Sequence, residues 1–217
     1  MKTLMFHGPS GSGKDTQVDL LGDYLDMAKI GTGDMYRTMP GEGNEMAIKW
    51  AKKVAEEGLW PNAEVTYTLL DEYVKRFDRQ KDWVFVSIVR RLDQIAAYDE
   101  FIMKQDRELD AFIHFNLEEE VAIKRLSKRE FCPDCNMTYH KEHNPSKAEG
   151  ICDVDGAKLD IRADDHPKQI RERLRQYNES IEPILDHFKD VLIEIDASPS
   201  IAEIHREIIE KLNLNKK

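Results

Sequence analysis

One stretch near the N-terminus, Gly8-Pro9-Ser10-Gly11-Ser12-Gly13-Lys14-Asp15-Thr16, constrains this chain more than any other. An apolar run, Thr3-Leu4-Met5-Phe6-His7, precedes it and reads as a buried first strand. A helical pattern follows, with Val18, Leu21, Leu25 and Ala28 on one face. Strand, glycine-rich loop and helix, in that order, is the setting of a phosphate-binding loop. The glycines let consecutive N–H groups turn inward around a polyphosphate, and the helix N-terminus adds positive partial charge. Lys14 brings a full charge within reach of the β- and γ-phosphates. The common pattern has Ser or Thr directly after the lysine; here Asp15 comes first and Thr16 next.

Further along, Lys29 to Arg37 reads as a turn leading into a second helix, and Pro40-Gly41-Glu42-Gly43 breaks the pattern. Met46, Trp50 and Val54 mark a short helix that Gly58 ends. Asn62 is the expected N-cap of the next helix, which carries Val65, Leu69, Tyr73 and Phe77. The continuous run Trp83 to Val89 reads as a central parallel strand, with Arg90 and Arg91 at its C-terminal end. Ligands of open α/β sheets bind at that edge. Ala111 to Phe115 is a further strand and Glu118 to Ser127 a further helix. A long helix is expected from Pro167, kinked at Pro183, then a strand over Val191–Ile195. Ser198-Pro199 reads as the start of a last helix, and Asn213 to Lys217 as a disordered tail. Strands alternating with helices imply an α/β fold, a doubly wound parallel sheet.

A chain of 217 residues, 41% of them hydrophobic, can bury a real core. Its net charge of −10 argues against a general nucleic-acid binder. No long apolar run suggests a membrane span, and no export signal is evident, which points to the cytoplasm. Residues 128–165 hold all three cysteines, in a stretch poor in large apolar residues. Cys132-x2-Cys135, then Cys152-x2-Asp155, has the form of two facing metal knuckles. Three thiolates and one carboxylate suit a closed, structural zinc site; His140, His143 and Asp153 are the alternative fourth ligands.

Taken together, the chain resembles the adenylate kinase family, in the form with a zinc-bearing lid. The loop with Lys14-Asp15-Thr16-Gln17 carries the likeness, as do Gly31-Thr32-Gly33-Asp34-Met35-Tyr36-Arg37 and Gly58-Leu59-Trp60-Pro61-Asn62. So do Arg125-Leu126-Ser127-Lys128-Arg129, Thr138-Tyr139-His140, Asn144-Pro145, Arg162-Ala163-Asp164-Asp165 and Arg173-Leu174. The resemblance implies a P-loop core over 1–30, 61–127 and 166–217. It also implies a monophosphate-binding segment at 31–60 and a zinc-binding lid at 128–165. The implied reaction is reversible phosphoryl transfer from MgATP to AMP, giving two ADP, by a monomer without nucleic-acid or membrane partners.

Carried over by position, Gly11, Ser12, Gly13, Lys14, Asp15 and Thr16 would hold the ATP phosphates, with Arg125, Thr138, Tyr139 and Ser198 completing that site. Arg129, Arg162 and Arg173 would neutralise the transferring group, while Arg37 and Arg90 grip the AMP phosphate. Thr32, Gln94, Gly58, Leu59, Trp60, Ser87, Ile88 and Val89 would line the AMP base.

One stretch departs from the family, which has Asp-Gly-Phe-Pro where this chain has Val86-Ser87-Ile88-Val89. An aspartate that helps hold magnesium's water shell is thereby missing. Asp15 either takes over part of that role or faces solvent in the first helical turn. Two rival functions stay open: a kinase for another nucleoside monophosphate, and a nucleotide-binding protein with little catalysis.

Overall fold

The structure is a computed structural model that describes residues 1–216. Its elements run β1 (Thr3–His7), α1 (Lys14–Leu20), β2 (Met27–Gly31), α2 (Thr32–Thr38), α3 (Glu45–Glu57), α4 (Ala63–Tyr73) and β3 (Asp82–Val86). There follow α5 (Gln94–Lys104), β4 (Ala111–Asn116), α6 (Glu119–Leu126), β5 (Arg129–Phe131) and β6 (Thr138–His140). The chain closes with α7 (Pro167–His187), β7 (Leu192–Asp196) and α8 (Ile201–Lys211).

A five-stranded parallel sheet, ordered β2-β3-β1-β4-β7, forms the centre, and β5 and β6 pair separately as an antiparallel ribbon. All five residues of β1 are buried, as a strand covered on both faces requires. Alternation along the strands divides the core. Met5, Trp83, Phe85 and Phe112 pack on one face under α2, α4 and α5. Leu4, Phe6, Val84, Val86, Ile113 and Phe115 pack on the other, against Val18 of α1 and Ile204 and Ile208 of α8. Each such large side chain contributes roughly 1.5–3 kcal/mol. Because every strand of the sheet points the same way, the loops after β1, β3 and β4 meet at one edge.

Several details differ from the sequence expectations. Ala28 lies in strand β2, not on the face of the first helix, which ends at Leu20. Met27-Ala28-Lys29-Ile30-Gly31 holds a single β-branched residue, so neighbour pairing with β3 outweighs weak propensity. β3 is an interior parallel strand, between β2 and β1, as expected, but it stops at Val86 because Ser87 turns to a φ of 52°. Helix α5 went unread in the sequence. The last helix is capped by Ser200, not Ser198, through a capping box with Glu203. As expected, the long helix α7 starts at Pro167 and holds Pro183 in its interior, running to His187. Asn213 and Leu214, expected in a disordered tail, are held in place: Leu214 hydrogen-bonds back to Ile209 and packs on the core; Lys217, at the end of that expected tail, lies outside the described residues.

Directly beneath the phosphate loop lies a buried aromatic stack. His7 of β1 and His114 of β4 are register partners with ring centroids 6.0 Å apart. Tyr177 of α7 stacks on His7 at 5.8 Å, and its hydroxyl lies 2.7 Å from His114 Nε2. Among the described residues neither Nδ1 has a hydrogen-bond partner, and the exposed Glu194 carboxylate is 4.0 Å from that of His114. Burial, then His114, Lys14 and Arg90, lowers the His7 pKa well below its ordinary value; burial and Lys14 bring His114 to about 4. Both rings are therefore neutral in the folded chain. The unfolded chain binds protons there below about pH 6.5 and the folded chain does not, so stability falls as pH drops toward 4. The loss is about 2 kcal/mol per histidine near pH 5. His7→Leu is expected to recover about that amount, measured as denaturant unfolding free energy near pH 5 relative to neutral pH.

Candidate active site

The loop after β1 folds as a phosphate cradle. Gly8, Gly11 and Gly13 have φ of 146°, 87° and 84°. A Cβ on Gly8 would lie 2.7 Å from the Phe115 carbonyl oxygen, so only glycine lets the loop pass over β4. Lys14 is buried, and its Nζ donates to the carbonyls of Gly8 (2.9 Å) and Pro9 (2.8 Å) and to Ser12 Oγ (3.0 Å). Burial, reinforced by Arg90, Arg129 and Arg173 and opposed by Asp15, lowers its pKa to about 7. A polyphosphate would reverse that balance and hold the ammonium protonated. Asp15 and Thr16 are exposed in the first turn of α1.

Facing the loop, two carboxylates hold three guanidinium groups. Arg129 donates to Asp165 from Nε (2.7 Å) and Nη2 (2.6 Å). Arg173 bridges both acids, to Asp164 and to Asp165 at 2.8 Å each. Arg162 donates to Asp164 from Nε (3.0 Å) and Nη2 (2.9 Å). The Asp165 side chain is fully buried. Three cations against two anions leave net positive charge, and Arg173 Nε is a buried donor with no partner among the described residues. Burial and Arg129 lower the Arg162 pKa to about 10, and burial and Arg173 do the same to Arg90. The cluster is a ready host for a multivalent anion.

The loop after β3 supplies a second cationic wall. Ser87 presents its carbonyl to Thr32 Oγ1 (3.0 Å) and Arg90 Nε (2.9 Å). The Arg90 guanidinium lies over the Trp60 ring at 5.3 Å. Gln94 is spoken for. It accepts from Arg90 N (2.7 Å) and donates to the Pro61 carbonyl (2.8 Å) and Thr66 Oγ1 (3.0 Å). Gln176 of α7 grips the Gly58 carbonyl (2.9 Å) and Trp60 N (3.0 Å), which fixes the segment holding Leu59. Ile88 and Val89 are fully buried beside it. Arg37 is ion-paired with Asp34.

Toward the other side, Arg125 donates to the carbonyls of Ala197 (2.8 Å) and Ser198 (3.3 Å), joining two expected site positions. Thr138 is exposed on β6, while Tyr139 turns its hydroxyl to Cys152 Sγ at 3.4 Å. The candidate ligand atoms of Cys132, Cys135, Cys152 and Asp155 lie within 4.8 Å of one another. His140 and His143 stack on each other at 4.5 Å, outside that group, and Asp153 accepts from Lys147 N. Asp155 is therefore the fourth member.

The structure thus gathers Lys14, Arg90, Arg129, Arg162 and Arg173 at one sheet edge. The sequence reading assigned no part to Asp164, Asp165 or Gln176. The two adjacent acids that closely follow Arg162 in Arg162-Ala163-Asp164-Asp165 were the available signal for the first two; nothing marked Gln176.

Comparison with known proteins agrees with this geometry. The family model described as Adenylate kinase matches residues 6–193. An adenylate kinase of Acholeplasma laidlawii is 33% identical over 215 residues, covering 98% of this chain and 99% of that protein. One from Staphylococcus aureus strain Mu50 is 34% identical over 212 residues, covering 97% of this chain and 98% of that protein. One from Chloroherpeton thalassium is 34% identical over 215 residues, covering 98% of each. A phosphate loop facing an arginine cluster, and likeness over nearly the whole length, place this chain in the adenylate kinase family.

Proposed function

We propose that this chain passes the terminal phosphoryl group of ATP to AMP, giving two ADP, with Arg129, Arg162 and Arg173 on the moving group. The observation that carries the reading is the Asp164–Asp165 pair, which holds those arginines across from Lys14 and leaves one buried N–H of Arg173 free to donate. An AMP phosphate oxygen attacks the γ-phosphorus, and the bond from that phosphorus to the β-phosphate oxygen breaks. The electron pair leaves with the departing ADP. Charge spread over the transferring oxygens meets fixed cations that need no rearrangement, and no covalent intermediate forms on the protein.

In this reading Gly11 to Thr16 cradle the ATP phosphates. Arg125, Thr138, Tyr139 and Ser198 border its base and ribose. Arg37 and Arg90 hold the AMP phosphate. Thr32, Gly58 to Trp60 and Ser87 to Val89 border the AMP base, and Gln94 shapes that wall by bracing Pro61 and Arg90. Segments 31–60 and 128–165 act as covers on a core of 1–30, 61–127 and 166–217, keeping water from the γ-phosphate. Magnesium bound with ATP supplies positive charge to its phosphates. Zinc on Cys132, Cys135, Cys152 and Asp155 stiffens the 128–165 cover, whose own buried cluster is small. The enzyme works as a cytoplasmic monomer without nucleic-acid or membrane partners. No described helix is long and apolar enough to cross a membrane.

A panel of AMP, GMP, UMP and CMP acceptors tests the base assignment. AMP is expected to give kcat/KM at least about tenfold above the others, a difference of about 1.4 kcal/mol in transition-state binding. A different acceptor outrunning AMP would overturn the assignment. Arg173→Met is expected to lower kcat by roughly 10²–10³, and an unchanged rate would favour a different transfer site. Stripping the metal with chelator is expected to lower Tm, and Cys135→Ser to do the same. An unchanged melt after confirmed metal loss would remove the structural role.

A further inference from the structure

This chain puts a carboxylate where a polyanion has to sit. Asp15 follows Lys14 directly, and its side chain is 63% exposed. Lys29 of β2 reaches it at 3.1 Å while also holding Asp19 at 2.9 Å, so its charge is shared. Desolvation works to raise the Asp15 pKa, but Lys29 and Lys14 bring it down to about 2, so the group is ionised. The neighbouring carboxylates are committed: Asp34 to Arg37, and Asp164 and Asp165 to the arginine cluster. Among the described residues, Asp15 is thus the exposed carboxylate of the cradle with no arginine partner.

A bare triphosphate placed against Lys14 would meet this negative charge at close range. A divalent cation between the two turns repulsion into attraction. Asp15 is exposed beside the equally exposed Thr16, so the side chains offered here are a carboxylate and a hydroxyl. Hard oxygen donors of that kind suit magnesium, which keeps several of its waters, and do not suit a soft metal. Val86, at the end of the adjoining strand, is apolar and adds no oxygen.

We propose that Asp15 accepts hydrogen bonds from the water shell of the magnesium carried by ATP, with Lys29 yielding part of its hold as the cation arrives. The proposal rests on the phosphoryl-transfer reading above. Asp15 is a positioning residue here, acting on the metal through its waters. Its presence makes the site select the magnesium complex over free ATP.

Calorimetric ATP affinity, with magnesium and with a chelator in its place, tests this without recourse to turnover. Wild type should prefer the magnesium complex. Asp15→Asn should cut that preference by about tenfold, partly by binding free ATP more tightly. Asp15→Glu should keep it, and Lys29→Met should widen it. With manganese in place of magnesium, the bound-metal spin-resonance spectrum should differ between wild type and Asp15→Asn. An equal preference in wild type and Asp15→Asn, with matching melts, overturns the proposal and leaves Asp15 as a partner of Lys29. A wild-type chain that binds no ATP overturns the phosphoryl-transfer reading as well, so the two failures are told apart.

Discussion

Three guanidinium groups held close together repel one another, and this site exists because two acids hold them in place. Asp165 is fully buried and joins Arg129 to Arg173; Asp164 joins Arg173 to Arg162. Removing an acid would strand a buried charge, at a cost of about 3–5 kcal/mol. Keeping both fixes the forks in one geometry before any substrate arrives. The remaining net charge and the Nε of Arg173, unpartnered among the described residues, suit a multivalent anion.

The sheet decides where that cluster meets its counterpart. Parallel strands deliver the loops after β1, β3 and β4 to one edge, so Lys14 and Arg90 arrive together although far apart in the chain. Helix α7 spans the site. It carries Arg173 into the acid pair, Gln176 onto the Gly58–Trp60 segment and Tyr177 beneath the loop. One helix thus links the arginine cluster, the Gly58–Trp60 segment and the buried histidines.

Much of this was legible in the sequence, for identifiable reasons. The phosphate loop announces itself because glycine spacing and a following lysine have one common structural use. Asn62 and Gly58 were readable as a cap and a stop because those roles depend on local chemistry. Strand β2 was hidden, since Ala28 fits a helical face as well as an edge strand and only pairing with β3 decides. The Arg129–Asp165 bridge was hidden too, because a hydrogen bond between residues 36 apart leaves no periodic trace. Gln94 shows the converse: its position was marked, but its amide is engaged by Pro61, Thr66 and the Arg90 backbone. Assignment of the individual roles rests on the gathering of these groups at one edge, together with likeness over nearly the full length.

The central claim is that the buried acids position the arginines for transfer. Its most direct test is kcat for ADP formation from MgATP and AMP in Asp165→Asn, at a temperature where its melt shows it folded. The kcat should fall about hundredfold, since small displacements of positioned groups cost on that order, with KM for either nucleotide little changed. A kcat equal to that of wild type would contradict it.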